Sequence, residues 1–306
     1  MSSEPEQVRQ APAETFKPPA AVRFLIAAIL VTIVTLYLPR ICFAIFGAHV
    51  VVADSVYRWS GSAILVAGYI FFSRVLDQVE ADEWAYIGLP RQRDAIRQTL
   101  LGVGLGAVLV SLSVAAIAAG GSLNSSFEVS SIRVVHAGMV VFLLLGGALL
   151  EELMFRGYPF QRLIEAIGIP GAILLLSAFF GAVHLNNPNA GGIWSWGFFN
   201  TLAVGVLFAI AYLRTRTLWL PFGIHFGWNF FLGVVYGLPV SGIKDFSVIV
   251  RSTAHGSKLL TGGAYGVEAS LTGSVTILLG IIFLGFCPKR LLGIEPAEFV
   301  NPGAGI

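Results

Sequence analysis

Long apolar runs recur along the whole chain, and no other feature constrains its fold as strongly. Each run is near or above the roughly 17 to 25 residues that an α-helix needs to cross a bilayer. Hydrophobic residues make up 56% of the 306 residues and charged residues only 12%, with a mean hydropathy of +0.81, whereas a water-soluble protein of this size needs a more polar surface. The sequence therefore predicts an all-α polytopic membrane protein with about eight transmembrane helices.

Eight spans are predicted between residues 22 and 286. The sixth and seventh are separated by Arg214 and Arg216, and Trp219 and Pro221 follow as at the interfacial start of a new helix. The predicted spans are residues 22–38, 60–76, 100–119, 134–155, 169–184, 193–213, 218–238 and 271–286.

The distribution of Lys and Arg predicts the orientation of these spans. When the connecting segments are assigned to alternate sides, 13 of the 19 Lys and Arg residues fall on the side that holds both termini. Arg58, just before the predicted second span, is counted on the other side. By the positive-inside rule both termini are cytoplasmic, and the expected location is a plasma membrane.

Polar segments flank and interrupt the apolar runs. Residues 1–21 are predicted to be a disordered cytoplasmic tail, residues 22–288 a single transmembrane domain, and residues 289–306 a second cytoplasmic tail. The charged segment 77–98 predicts a cytoplasmic loop with an amphipathic helix lying at the interface. Residues 239–270, rich in glycine, predict an external loop.

Charge and cysteine content exclude several classes of function. A net charge of +2 gives no basis for nucleic-acid binding. Cys42 and Cys287 lie at opposite ends of the chain, without the spacing of a metal site or a redox pair. We expect both cysteines to be structural.

Two adjacent acids end the apolar run of the fourth span. Glu152 and Arg156 are i,i+4 neighbours that can pair, whereas Glu151 lies off that face and is left free. Ionisable side chains are costly in hydrocarbon, so intramembrane acids are functional candidates by default. The alternative is a cluster of charges that marks a helix end.

Histidines on two later spans add to this motif. His184 follows Phe180 by one helical turn on the fifth span, and His225 precedes Asn229 by one turn on the seventh. A lone histidine near a helix end is more often structural, and an aligned His–Asn pair is equally consistent with a hydrogen bond between packed helices.

Depth in the membrane connects the three spans. At about 1.5 Å per residue, Glu151, His184 and His225 lie at a similar level, provided that the fourth helix runs on to Arg162 at the cytoplasmic face. Agreement between three independent helices favours one active site in the core of the bundle.

The pattern EExxxR, FxxxH and HxxxN on successive spans resembles the CPBP intramembrane protease family, which includes the type II CAAX prenyl endopeptidases. The motifs agree in residue type, order and spacing across about residues 134–235, the predicted protease core. The matching residues are Glu151, Glu152, Arg156, Phe180, His184, His225 and Asn229. The resemblance implies an endopeptidase that cuts a membrane-associated protein or peptide near the cytoplasmic face of the lipid bilayer; in eukaryotic members the substrate is a prenylated CaaX tail.

Two versions of the hydrolysis remain open. In the first, Glu151 is the base, His184 orients the same water, and His225 and Asn229 present donors to the oxyanion, while Glu152, Arg156 and Phe180 support the site. In the second, Glu151, His184 and His225 bind zinc with water as the fourth ligand. The metal-free version is favoured because a ligating Glu151 leaves no second carboxylate as base.

Two other functional classes also fit an intramembrane acid, histidine and asparagine. A transporter would use such groups at mid-depth, but it should have internal repeats, and we detect none. A non-proteolytic membrane scaffold on the same bundle would be favoured by loss of motif residues, all of which are present.

Overall fold

The computed structural model describes residues 17–292 except 48, 80–81, 92–93, 128–130, 245 and 247–249. The predicted tails therefore lie mostly outside the described residues. The helices are α1 Ala20–Leu36, α2 Leu38–Phe46, α3 Val50–Val75, α4 Glu83–Tyr86, α5 Asp94–Ala119, α6 Ser131–Arg156, α7 Tyr158–Val183, α8 Trp196–Thr215, α9 Trp219–Phe230, α10 Lys258–Thr261 and α11 Leu271–Phe286. Two strands, β1 Leu123–Phe127 and β2 Val250–Ala254, form a small sheet.

Within the part of the chain that the structure describes, five stretches of helix are long and apolar enough to cross a membrane. They are Ala20–Phe46, Val50–Val75, Asp94–Ala119, His136–Asn186 and Trp196–Thr215, and two shorter apolar helices cover Trp219–Val235 and Leu271–Phe286. The fourth stretch contains both α6 and α7, so each of the eight predicted spans falls on a helix. The prediction of an all-α, multi-pass membrane protein is confirmed.

The fourth helix does not run straight to Arg162, so that premise of the depth estimate is wrong. α6 ends at Arg156, and Gly157 leaves helical geometry with a ψ of −147° before α7 begins. α7 is itself interrupted at Gly168, whose φ of 79° lies in the left-handed region that glycine adopts without steric cost.

Contacts along α8 show what these interruptions do to the chain path. Arg156 donates to the carbonyl of Gly205, and Phe160 packs farther along α8 against Tyr212, with ring centroids 5.6 Å apart. Ser177, after the second interruption, lies against Gly205 again. The chain therefore runs past the end of α6, reverses direction within α7, and returns to the level of Arg156.

The second membrane helix begins earlier than predicted. α3 starts at Val50 and not at residue 60, so Arg58 lies inside a helix and not in an external loop. Its Nε donates to Asp54 Oδ2 over 3.0 Å, one turn earlier on the same helix. This i,i+4 ion pair lets α3 carry two charges among apolar residues.

Contacts between loops group them on two sides of the bundle. β1 pairs antiparallel with β2, which brings the connection after α5 together with the loop after α9. At the other end, the Leu218 amide donates to the Gly88 carbonyl over 2.7 Å and Arg214 donates to the Gly285 carbonyl over 3.0 Å. These contacts agree with the predicted alternation; which side is cytoplasmic stays a prediction. In the described part of residues 77–98, the predicted amphipathic helix is limited to the single turn α4, and the membrane helix α5 already begins at Asp94.

Glycines bring α5 and α9 into close contact. A Cβ added to Gly223 would lie 2.2 Å from the carbonyl oxygen of Thr99, and one added to Gly106 would lie 2.3 Å from that of Ile224. Small residues permit this approach of two membrane helices, whose association depends on van der Waals packing. Because His225 is two residues from Gly223, it lies on the face of α9 turned away from α5.

A buried ionic cluster fixes α1 to α7 at one end of the bundle. Asp77, after α3, accepts hydrogen bonds from Tyr158 over 2.6 Å and from Arg162 over 2.7 Å, and also pairs with Arg23 of α1. Glu165 pairs with both arginines over 2.8 Å. The cluster holds the segment of α7 that follows the EExxxR motif of α6.

Candidate active site

A cavity of about 430 Å³ opens in the core of the bundle, within the roughly 300 to 1,000 Å³ usual for ligand sites. Its wall is built from α1, α3, α6, α7, α8 and α9 together with parts of the loop after α9. Five of the predicted site residues line it: Glu151, Phe180, His184, His225 and Asn229. The motifs of three separate helices therefore meet at one cavity.

Glu151 lies at the centre of this group. Its Oε2 atom is buried and has no hydrogen-bond partner among the described residues. The same atom is 3.9 Å from Nε2 of His184 and 3.8 Å from Nε2 of His225. Both histidines thus direct the same ring nitrogen at one carboxylate oxygen.

The hydrogen bonds of the two imidazoles determine their tautomers. Nδ1 of His184 lies 2.7 Å from the Phe180 carbonyl oxygen, and Nδ1 of His225 lies 2.9 Å from Glu152 Oε1. A carbonyl and an ionised carboxylate only accept, so each Nδ1 carries the proton and, in the neutral rings, each Nε2 is an unprotonated acceptor. Two acceptor nitrogens, Nε2 of His184 and Nε2 of His225, therefore face a third acceptor, Oε2 of Glu151.

Water fits the space between these acceptors. Separations of 3.8 and 3.9 Å are too long for a direct hydrogen bond and suit a bridging water. A water held only by acceptors donates its protons to the protein and keeps its oxygen lone pairs unengaged. Such a water is oriented as a nucleophile.

One carboxylate and two histidines are also the donor types that catalytic zinc takes. Ligands at about 2.0 to 2.1 Å from a tetrahedral ion lie roughly 3.3 Å apart, closer than the 3.8 and 3.9 Å measured between these atoms. Among the described residues, no group of three or more His, Cys, Asp or Glu side chains is arranged to hold a metal ion. The site thus fits zinc by the chemistry of its donor atoms and not by the distances between them.

The predicted pair of Glu152 and Arg156 forms, with Arg156 Nη1 3.3 Å from Glu152 Oε1. Arg156 also donates to the Gly205 carbonyl over 3.0 Å, and its guanidinium carbon lies 4.7 Å from the centre of the Phe180 ring. Glu152 is fully buried and accepts from His225 as well. Its contacts therefore extend beyond the pairing predicted from the sequence.

Asn229 is partly buried on α9, one turn beyond His225, and lines the same cavity. A short π-helical segment, Phe231–Val235, follows at the end of α9. His225 is further fixed by Phe208 of α8, whose ring stacks on the imidazole with centroids 4.9 Å apart. Phe208 carries no motif in the sequence that could have identified it.

Two charged residues of the cavity were missed by the sequence reasoning. Arg58 Nη1 lies 3.8 Å from Glu151 Oε1, and the i,i+4 spacing of Asp54 and Arg58 is the signal that could have placed it within a span. Glu268, in the turn before α11, also lines the cavity and accepts from the Ser241 hydroxyl over 3.0 Å. No local pattern in that loop points to Glu268.

The motif-bearing segment matches a known family. Residues 133–231 match a family model described as type II CAAX prenyl endopeptidase Rce1-like. A Bacillus subtilis (strain 168) protein named "Putative membrane peptidase YdiL" is 30% identical over 102 residues, which cover 33% of this chain and 38% of that protein. No solved structure matches. The resemblance to the CPBP family that the motifs suggested is confirmed for this segment.

Proposed function

Residues 133–231 match the Rce1-like family model, and from that match we propose that the chain is an intramembrane endopeptidase. It hydrolyses a peptide bond of a membrane-associated protein or peptide. The observation that carries the proposal is the convergence of the Nε2 atoms of His184 and His225 on the buried Oε2 of Glu151 inside a cavity. Peptide hydrolysis needs a held water and a base beside it, and these atoms provide both.

In the proposed reaction Glu151 accepts the proton of the water as its oxygen attacks the substrate carbonyl carbon. His184 Nε2 accepts the second hydrogen bond of the water and fixes its direction. The tetrahedral intermediate places negative charge on the former carbonyl oxygen, which needs donors. The proton on Glu151 finally passes to the leaving amine, so the carboxylate is regenerated and one water is consumed for each bond cleaved.

His225 and Asn229 are the proposed donors to this oxyanion. Asn229 presents its amide, while His225 takes up a proton from solvent at Nε2, donates through it to the oxyanion, and returns it to solvent when the intermediate collapses. Glu152, 2.9 Å from Nδ1, stabilises the resulting imidazolium, as an acid does behind a catalytic histidine. Arg156 balances the charge of Glu152 in the resting site.

The resemblance suggests a substrate with a C-terminal CaaX tail presented at the cytoplasmic face. The buried position of the site restricts substrates to chains that reach the membrane interior. A prenylated tail meets that condition because its lipid partitions into the bilayer.

The proposal is tested with purified protein in lipid vesicles. Two peptides that share a CaaX sequence, one farnesylated and one not, are incubated with wild type, Glu151→Gln and His184→Ala, and the products are identified by mass spectrometry. Glu83→Gln, on an exposed turn, is the matched control. We expect both site variants to lose cleavage by at least about 100-fold and the control to retain it. Equal cleavage by wild type and both site variants would refute a protease active site here.

The same samples separate the two versions of the chemistry. Metal content is measured before and after chelation, and cleavage is measured on each preparation. Full activity in metal-free protein eliminates the zinc version alone. Activity that disappears with the metal and returns with added zinc favours Glu151, His184 and His225 as its ligands.

A further inference from the structure

Arg58 is an intramembrane cation that the reaction above does not use. It lies on α3, outside the segment that matches the protease family. Its Nε is bonded to Asp54, while the rest of the guanidinium lines the cavity and the side chain is 22% exposed. A charged group at this depth is expensive to keep, so a role beyond solubility is expected.

Gly147 gives Arg58 its access to the site. Gly147 and Glu151 are one helical turn apart, on the same face of α6. A Cβ at Gly147 would lie 2.4 Å from Arg58 Nη1, so any side chain there would occupy the place of the guanidinium. The gap in the surface of α6 is therefore filled by the cation directly beside Glu151.

The two oxygens of the Glu151 carboxylate face different partners. Oε1 lies 3.8 Å from Arg58 Nη1, and Oε2 faces the two Nε2 atoms of His184 and His225. The torsion that exchanges the two oxygens of a glutamate is soft, so their directions depend on neighbouring charges. A cation on one side breaks the equivalence of the two oxygens.

We propose that Arg58 is a positioning residue for Glu151. It attracts Oε1 toward α3, so that Oε2 stays directed at the histidines and at the water between them. Asp54 in turn fixes the direction of the Arg58 guanidinium. This inference rests on the proposed function, because it assigns Arg58 a part in preparing the same carboxylate for hydrolysis.

Four variants test the proposal. Arg58→Met removes the charge, and Arg58→Lys keeps a point charge without the planar fork. Gly147→Ala leaves Arg58 intact but displaces its flexible end, because the three atoms nearest the added Cβ all belong to the Arg58 side chain. Gly138→Ala, on the same helix as Gly147, is the matched control. A Cβ added at Gly138 would lie in open space, with no neighbouring atom within 4 Å.

The expected result is a loss of turnover without a loss of substrate binding. Arg58→Met and Gly147→Ala should lower kcat by roughly 10- to 100-fold, since small misplacements of a reacting group have effects of that size. KM should stay within about twofold, Arg58→Lys should recover part of the rate, and Gly138→Ala should match wild type. If Arg58→Met fails to fold, Gly147→Ala still tests the contact.

A binding measurement separates positioning from direct contact with substrate. In the inactive Glu151→Gln background, the added Arg58→Met change should leave the Kd of the farnesylated peptide unchanged. A weaker Kd would mean that Arg58 binds substrate itself, and would overturn the inference.

Kinetics distinguish failure of this inference from failure of the proposed function. If wild type cleaves and Glu151→Gln does not, while Arg58→Met and Gly147→Ala both turn over at the wild-type rate, only the role of Arg58 is refuted. If wild type is no faster than Glu151→Gln, the protease proposal fails and the inference fails with it.

Discussion

The carboxylate of Glu152 accepts a 2.9 Å hydrogen bond from Nδ1 of His225. The two residues belong to different motifs, 73 positions apart on α6 and α9. Glu152 also pairs with Arg156, so one buried acid neutralises an arginine and sets the tautomer of a histidine. The EExxxR and HxxxN motifs are therefore physically coupled.

Changing Glu152 to Gln should impair turnover although Glu152 does not face the bound water. The neutral amide cannot stabilise a positive charge on His225 as the carboxylate does, so the imidazolium that is proposed to donate to the oxyanion would form less readily. We expect a loss of kcat of about 100-fold or more, by analogy with an acid that orients a catalytic histidine. Steady-state cleavage kinetics measure this loss of kcat, with Glu83→Gln as the control. A wild-type kcat in Glu152→Gln would contradict the proposed role of Glu152 in orienting His225.

The contact between α5 and α9 should tolerate no added methyl group. Gly223→Ala would place its Cβ 2.2 Å from a backbone oxygen of α5, which cannot move as a side chain can. We expect a loss of about 1 to 3 kcal/mol in unfolding free energy, together with reduced activity because α9 carries His225. Gly104→Ala on α5, with open space around it, should be neutral or stabilising. Thermal unfolding in detergent compares the two; equal effects would argue against the close packing.

Removing the carboxylate of Asp77 should be among the most destabilising single changes. Asp77→Asn leaves Arg23 and Arg162, both buried, sharing only the more exposed Glu165. Breaking a buried ion pair costs roughly 3 to 5 kcal/mol, because buried charge is left under-compensated. Glu83→Gln, which breaks an exposed pair with Arg74, should have a much smaller effect on the unfolding temperature. A small effect in both variants would contradict the proposed role of the cluster.

Stability should depend on pH through Glu268, which lies outside the membrane-spanning helices. Burial raises the pKa of its carboxyl group above the ordinary value, although hydrogen bonds from Ser241 partly oppose this. Between the ordinary and the raised pKa the folded state binds more protons than the unfolded state, so stability falls as pH rises from about 4.3 through that window. Glu268→Gln should flatten this slope in unfolding temperatures measured against pH. An unchanged slope would assign the effect to another group.

Much of the site could be predicted from the sequence because its motifs are local. Three pairs of residues were singled out because their members are four positions apart on a helix: Glu152 and Arg156, Phe180 and His184, and His225 and Asn229. The structure brings all six to one region. Arg58 was missed because hydropathy alone placed the start of the second span at residue 60, whereas the ion pair with Asp54 lets the helix begin earlier. Glu268 comes from a loop whose position depends on contacts with residues far away in the sequence.

The sequence by itself determined that the chain is a bundle of membrane helices, because long apolar runs have few other stable states in a bilayer. It also determined which side chains share a helix face, since helical periodicity is a local property. Only the tertiary structure decided how those faces meet. The reversal at Gly168, the glycine contact between α5 and α9, and the gap at Gly147 that admits Arg58 each depend on packing between distant segments. Such packing is set by the shapes of both partners together, and a single sequence pattern describes only one of them.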